Sequence, residues 1–372
     1  MTQNLSRREW LIGGTTLAGG ILASSIAKGQ VFPNPILKPS MQDPIRVGAN
    51  ENVYGPSLKA QAAMDKAASK AHFYNFEAGP QLTAVIAKME NIPEDHIAMA
   101  SGSSPFLEKA AYVARMDGGA ILTPDPTYTT VSGMGRQIGA KIISVPVRED
   151  LAIHLNDLRA AMTSEVKVIY LCNPNNPIPT ILKKNALREF CIEMSQKAIV
   201  LVDEAYFEYV DNKDYATMAN LVTEHPNIVV TRTASKIHAM AGIRVGFAFA
   251  HPDTLKLFTA PFDLSMNYMA QMGAIASYQD IEYQSFIKQK NKESLEILYS
   301  MFDELGLRYI KSNSNFTFFH AKRPAPVVTN KLQEYGIIGS RPFRPFMDWV
   351  RFSTAKPEEM KYVVDVYKRE FG

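Results

Sequence analysis

Cysteine is scarce in this chain: 372 residues contain only Cys172 and Cys191. They form no CxxC pair and no metal-ligand cluster with the scattered histidines, so they read as two core thiols. An excess of one charge is also missing. Lys+Arg number 40 against 37 Asp+Glu, a net charge of +3, and no long basic run is present. That balance excludes the electrostatic footprint of a nucleic-acid-binding protein. There is no internal repeat and no low-complexity tract. Long apolar runs are missing too: Leu11 to about Ala27 is broken by Gly13, Gly14, Gly19 and Gly20, too weak for a stable membrane span. What is present is 46% hydrophobic content, enough for a large buried core. The length is that of two or three domains.

The N-terminus reads as a leader rather than as part of the fold. Ser6-Arg7-Arg8-Glu9-Trp10-Leu11 has the form of a twin-arginine signal, followed by a mildly apolar stretch and the small residues Ser25-Ile26-Ala27. Residues 1–27 are therefore expected to be an export signal, and the protein to be periplasmic. The alternative is an amphipathic N-terminal helix on a cytoplasmic protein. A Pro-rich arm follows, from Val31 to Pro44.

Beyond the arm, apolar runs alternate with helical patterns. Strands are expected at 120–122, 142–145, 166–171, 199–202, 228–230 and 245–249, and helices at 106–115 and 183–195. Such alternation implies an α/β domain with a mostly parallel sheet flanked by helices. From about Pro252 the pattern becomes α+β: a long helix over 282–305, short strands at 316–319 and 350–352, and a final helix over 357–371. The expected division is arm 28–70, large domain 71–252 and small C-terminal domain 253–372.

Four loops carry chemistry. Val202-Asp203-Glu204-Ala205-Tyr206 ends an apolar strand in an acid, and ligands bind at the carboxyl ends of parallel strands. Thr231-Arg232-Thr233-Ala234-Ser235-Lys236, followed by Gly242-Ile243-Arg244, offers hydroxyls, an arginine and a lysine, which suit a phosphate. Cys172-Asn173-Pro174-Asn175-Asn176-Pro177 is a proline-stiffened loop presenting amides. Ala100-Ser101-Gly102-Ser103-Ser104-Pro105 opens a helix whose first N–H groups can hold an anion. Taken singly, each is better read as an ordinary cap, turn or surface residue; their order along one chain is what has weight.

Together these loops resemble the class I/II aminotransferases of pyridoxal-phosphate (PLP) fold type I, and most of all their histidinol-phosphate subgroup. Asn50-Glu51-Asn52-Val53-Tyr54-Gly55 and Asp125-Pro126-Thr127-Tyr128 extend the resemblance, which runs from Asn50 to the last helix. The resemblance implies a large domain plus a smaller α+β domain, a PLP cofactor and amino-acid and 2-oxo-acid substrates. It implies that Lys236 binds PLP as a Schiff base and shuttles the proton between Cα and C4′. Asp203 would pair with the pyridine nitrogen, Tyr206 and Asn176 with the ring's 3-oxygen, and Tyr128 would stack on the ring. Ser103 and Ser104 N–H groups, with Thr233, Ser235 and Arg244, would hold the phosphate. Tyr74 would reach it from the partner subunit of a homodimer, and Arg351, with Asn176, would bind the substrate carboxylate.

Elementary chemistry agrees. A carbanion at Cα needs an electron sink, which a protonated pyridinium held by Asp203 supplies. Lys236 must be neutral to attack an aldehyde, a state that Arg244 and partial burial favour. The chain departs from the family at Ile178-Pro179, where Thr-Gly is usual, at Ser103-Ser104, where acids are usual, and at Val53. Arg341 or Arg344 could face an acidic substrate group, whereas Phe343, Phe346 and Trp349 read as core packing. The rival readings are decarboxylation, as in threonine-phosphate decarboxylase, β-elimination, or a binding protein without catalysis.

Overall fold

The computed structural model describes residues 32–116, 118–260 and 265–372. The expected export segment, 1–27, lies outside them. Twelve strands occur among the described residues: β1 Ile45–Arg46, β2 Ile97–Ala100, β3 Ala120–Asp125, β4 Lys141–Pro146, β5 Val166–Cys172, β6 Ile199–Asp203, β7 Ile228–Thr233, β8 Gly246–Phe249, β9 Tyr309–Ile310, β10 Phe316–His320, β11 Ile337–Ile338 and β12 Trp349–Ser353. The helices are α1 Leu58–Ala68, α2 Ala78–Glu90, α3 Ser104–Met116, α4 Thr130–Gln137, α5 Leu155–Ala160, α6 Lys184–Ser195, α7 Pro252–Thr259, α8 Tyr268–Tyr278, α9 Ile281–Glu304, α10 Ala325–Gln333 and α11 Pro357–Phe371.

Seven strands form the main sheet in the order β2-β8-β7-β6-β5-β3-β4. Only β8 is reversed, running antiparallel to β2 and β7. The central strands are apolar on both faces because helices cover both. Side chains alternate between two layers: Val168, Tyr170 and Cys172 join one core with Phe106 and Leu107, whereas Ile169 and Leu171 join the other with Leu187 and Phe190. Asp203 pairs in register with Cys172 on one side and Thr231 on the other, so three strands end in one row of polar groups. This row, rather than any loop alone, positions the site.

The smaller body is the antiparallel sheet β12-β10-β9 packed on α9, α10 and α11, with Leu298, Phe302, Phe319, Phe352 and Tyr367 in its core. The N-terminal arm joins it through the parallel pair β1–β11. Met266 and, from α8, Ala270, Ala274 and Tyr278 sit in the large core, so the change of pattern after Pro252 is a change of element type and not of body. The architecture is the α/β large domain plus α+β small domain that the resemblance implied. No described helix is long and apolar enough to cross a membrane. Both cysteines are buried and free.

Candidate active site

A cavity of about 310 Å³ opens at the carboxyl ends of β5, β6 and β7 and receives Arg341, Phe343 and Arg351 from the small domain. It brings together every residue to which the resemblance gives a role except Tyr74. Tyr74 is 93% exposed and stands away from its own chain's cavity. Of the two uncertain arginines, Arg341 lines the cavity and Arg344 does not. Phe343 corrects an expectation: it lines the cavity as well as packing against Ile178, Phe318 and Trp349. That packing also accounts for Ile178, which is fully buried in an apolar cluster where a threonine hydroxyl would lack a partner.

Asp203 is buried, and its two oxygens accept from Thr231 Oγ1 at 3.0 Å and Tyr170 OH at 3.3 Å. Burial pushes its carboxyl up to about 6, against the opposing pull of those two bonds and of Lys236. Burial, and after it the charge of Arg351, lower the Lys236 amine to about 8. The sequence reading credited Arg244 with that electrostatic effect. Arg351 exerts it instead, and the Arg244 guanidinium lies at Ser235 Oγ and the Ala241 carbonyl, at 3.3 and 2.9 Å. Lys236 Nζ stands 5.4 Å from the centroid of the Tyr206 ring.

Tyr206 OH accepts from Asn50 Nδ2 at 3.0 Å and Asn176 Nδ2 at 3.2 Å. A hydroxyl has two acceptor sites and one proton. With both acceptor sites filled, the Tyr206 proton is left to donate into the cavity. Asn176 Oδ1 in turn accepts from Arg351 Nη1 at 2.6 Å. Arg351 Nη2 donates to the Gly48 carbonyl, and Arg351 Nε is buried with no hydrogen-bond partner. Its guanidinium lies 4.9 Å from the Phe343 ring and is lowered to about 10 by burial.

The anion cradle is built from three elements. Gly102 has φ +91°, and a Cβ there would lie 2.1 Å from Arg244 Nη2. A Cβ on Gly246, at the start of β8, would lie 2.1 Å from Gly102 C and 2.3 Å from Ser103 N. Only glycine at both positions lets α3's first N–H groups, the β7 hydroxyls and Arg244 converge. Thr233 Oγ1 bonds Ser235 Oγ at 2.8 Å, which completes a hydroxyl row beside Arg244. Tyr128 is half exposed at the mouth, and its loop is tied down by Thr127 Oγ1 donating to Asn175 Oδ1 at 2.7 Å.

These groups fit pyridoxal 5′-phosphate: an anion cradle at one end, an acid for a ring nitrogen at the other, a donor for a ring oxygen, and a lysine of lowered basicity. Sequence reasoning assigned no role to Asn50 or Tyr170, and it grouped Thr231 with the phosphate-side hydroxyls, whereas Thr231 donates to Asp203. Asn50 opens the Asn50–Gly55 segment with a left-handed φ of 55°, a conformation that Asn tolerates better than most residues. The contacts of Tyr170 and Thr231 with Asp203 were hidden because they arise only through strand register. Among the described residues, no group of His, Cys, Asp or Glu could hold a metal ion.

Residues 42–366 match the family described as aminotransferase class I and II. The chain is 32% identical over 335 residues to the histidinol-phosphate aminotransferase of Symbiobacterium thermophilum, covering 89% of this chain and 92% of that protein. It is 30% identical over 333 residues to histidinol-phosphate aminotransferase 2 of Carboxydothermus hydrogenoformans, covering 86% and 91%. A solved chain from Erwinia carotovora atroseptica, provisionally assigned to the histidinol-phosphate aminotransferases, superposes with a TM-score of 0.86 at 30% identity, covering 90% and 98%. The fold is shared with the histidinol-phosphate aminotransferase of Sinorhizobium meliloti solved with pyridoxal-5′-phosphate, at a TM-score of 0.81 and 24% identity, covering 88% and 91%.

Proposed function

This chain belongs to the class I and II aminotransferases, and we propose that it transfers the amino group of a phosphate-bearing amine to a 2-oxo acid, with Lys236 as the covalent anchor of the cofactor. It is a transaminase dependent on pyridoxal 5′-phosphate. The observation that carries the site assignment is that Lys236 and Asp203 line one cavity beside an anion cradle. Bound there, the cofactor supplies an aldehyde for the donor's nitrogen and a ring that accepts the electrons released at Cα. Lys236, neutral above about pH 8 and in growing fraction toward it, takes and returns the Cα proton. Asp203 holds a proton on the ring nitrogen, and Tyr206 donates its own proton to the ring oxygen. Tyr128 covers the ring at the mouth. Ser103, Ser104, Thr233, Ser235 and Arg244 grip the phosphate.

Arg351 and Asn176 orient the carboxylate of the 2-oxo acid. Arg341 lines the same cavity and meets the second anion, the donor's phosphate or a side-chain carboxylate. Histidinol phosphate with 2-oxoglutarate is the pair that the names of the relatives suggest. Amine exchange between the two, with Arg341→Ala raising the KM for the donor, supports this reading. Release of carbon dioxide or ammonia without an acceptor contradicts it.

The protein is a homodimer in this proposal, with Tyr74 completing the phosphate site of the partner. Residues 1–27 direct export, a reading supported by the Arg7-Arg8 pair and the apolar stretch after it. Cell fractionation with N-terminal sequencing tests it: an uncut cytoplasmic protein contradicts export.

A further inference from the structure

Two residues beyond Lys236 comes His238, and two residues beyond Tyr206 comes Glu208. These side chains meet outside the cavity lining. His238 Nε2 lies 3.4 Å from Glu208 Oε1, with the side chains only 1% and 8% exposed. Neither atom has a hydrogen-bond partner, so the contact is a close polar approach rather than an aligned hydrogen bond. The other ring nitrogen of His238 lies 2.9 Å from Ser277 Oγ on α8, and its ring lies against Tyr278, tilted by 31° with centroids 3.9 Å apart. Arg232, whose charge reaches Glu208 and Tyr278, is already paired with Glu204 and Glu90. Glu208 is thus left to His238.

An imidazole and a carboxylate desolvated together are a poor way to gain stability, since an apolar ring of similar size fills such space at no electrostatic cost. What the pair does is join two segments. One carries Lys236, and the other carries Tyr206 just past Asp203. The lysine turn is fixed on its other edge by Asn52 Nδ2, which donates to the Ile237 carbonyl at 2.7 Å. A lysine that must reach both an aldehyde carbon and the donor's Cα tolerates little displacement.

We propose that His238 and Glu208, anchored through Ser277, form a positioning pair that sets the Lys236 turn against the Tyr206 segment. This rests on the reading of Lys236 as the cofactor's lysine. Three variants of the full-length holoenzyme test it. His238→Phe keeps a ring against Tyr278 and removes both nitrogens, His238→Gln keeps a donor toward Glu208, and Glu208→Gln keeps shape without charge. The readouts are kcat, donor KM, the pH midpoint of the bound cofactor's visible absorbance, and the rate of cofactor uptake by stripped protein. His238→Phe and Glu208→Gln are expected to lower kcat by about tenfold to a hundredfold with donor KM nearly unchanged, and to shift the absorbance midpoint. His238→Gln is expected to recover most of the loss. A folded His238→Phe protein with wild-type kcat and midpoint, and only a lower melting temperature, would overturn the proposal. If that variant does not fold, Glu208→Gln decides by the same criteria. A wild-type protein with no lysine-bound absorbance would instead strike at the reading of Lys236 itself.

Discussion

At the scale of single residues, the site is a set of ionisations moved by burial. Lys236 needs a neutral amine, and burial beside Arg351 lowers it to about 8. Uptake of pyridoxal phosphate by the stripped protein should therefore slow as pH falls below about 8, approaching about tenfold per unit as the neutral amine is titrated away. Stopped-flow absorbance across pH 6–9 checks this. Asp203 has the opposite sign. Its folded value, about 6, lies above the ordinary value of 3.8, so the cofactor-free fold prefers the protonated acid. That preference is fully present below about 4 and is lost as pH rises through about 6. Cofactor-free Asp203→Asn is accordingly expected to melt above wild type at pH 7 and level with it near pH 4, by calorimetry. The same substitution in the holoenzyme is expected to lower kcat by about 10²- to 10³-fold, because the ring nitrogen loses its anionic partner. Both residues were legible in the sequence because each ends or closely follows an apolar strand. Asn50 and Tyr170 were not, since one depends on a left-handed backbone and the other on a neighbour in the sheet.

At the scale of elements, the phosphate cradle depends on how closely β8 approaches the loop before α3. Gly246→Ala would place a methyl group about 2 Å from the Gly102–Ser103 backbone, an overlap that only backbone movement relieves. The cost, about 1–3 kcal/mol, falls on the cradle, so cofactor affinity is expected to drop by about tenfold to a hundredfold. Equilibrium dialysis of the variant measures it. Most strands here were readable from periodicity, and among the helices α11 has the expected bounds and α6 begins one residue late, whereas α1, α2 and α8 were not read. The reversal of β8 was not read, because an apolar strand looks the same in either direction. Its cause lies in the connection: Ala234 to Val245 contains no helix, so no crossover returns the chain to the other end of the sheet. β2 escaped notice because it is short and only half buried.

At the scale of the whole molecule, the exposed aromatic residues ask for a partner. Phe73, Tyr74 and Phe76 are all exposed within a few residues of one another, an apolar patch that a lone soluble chain would bury or lack. Sedimentation should give a dimer. Lys236→Ala and Tyr74→Ala, each of low activity alone, are expected to complement when mixed and reassociated, since one site of each hybrid regains both residues. No recovery would place Tyr74 outside the site. The small domain lines the cavity with Arg351 and Arg341, and nothing in the run Arg341-Pro342-Phe343-Arg344 marked which of its two arginines turns inward. That is decided by the fold of the β11–β12 connection, where Arg341 lies against the Phe343 ring at 4.8 Å.

The account rests on Lys236 as the cofactor's covalent anchor, and chemical trapping tests that most directly. Holoenzyme reduced with borohydride, digested and sequenced by mass spectrometry is expected to carry one pyridoxyl-phosphate label, on the peptide containing Lys236. A label on any other lysine, or none, contradicts it.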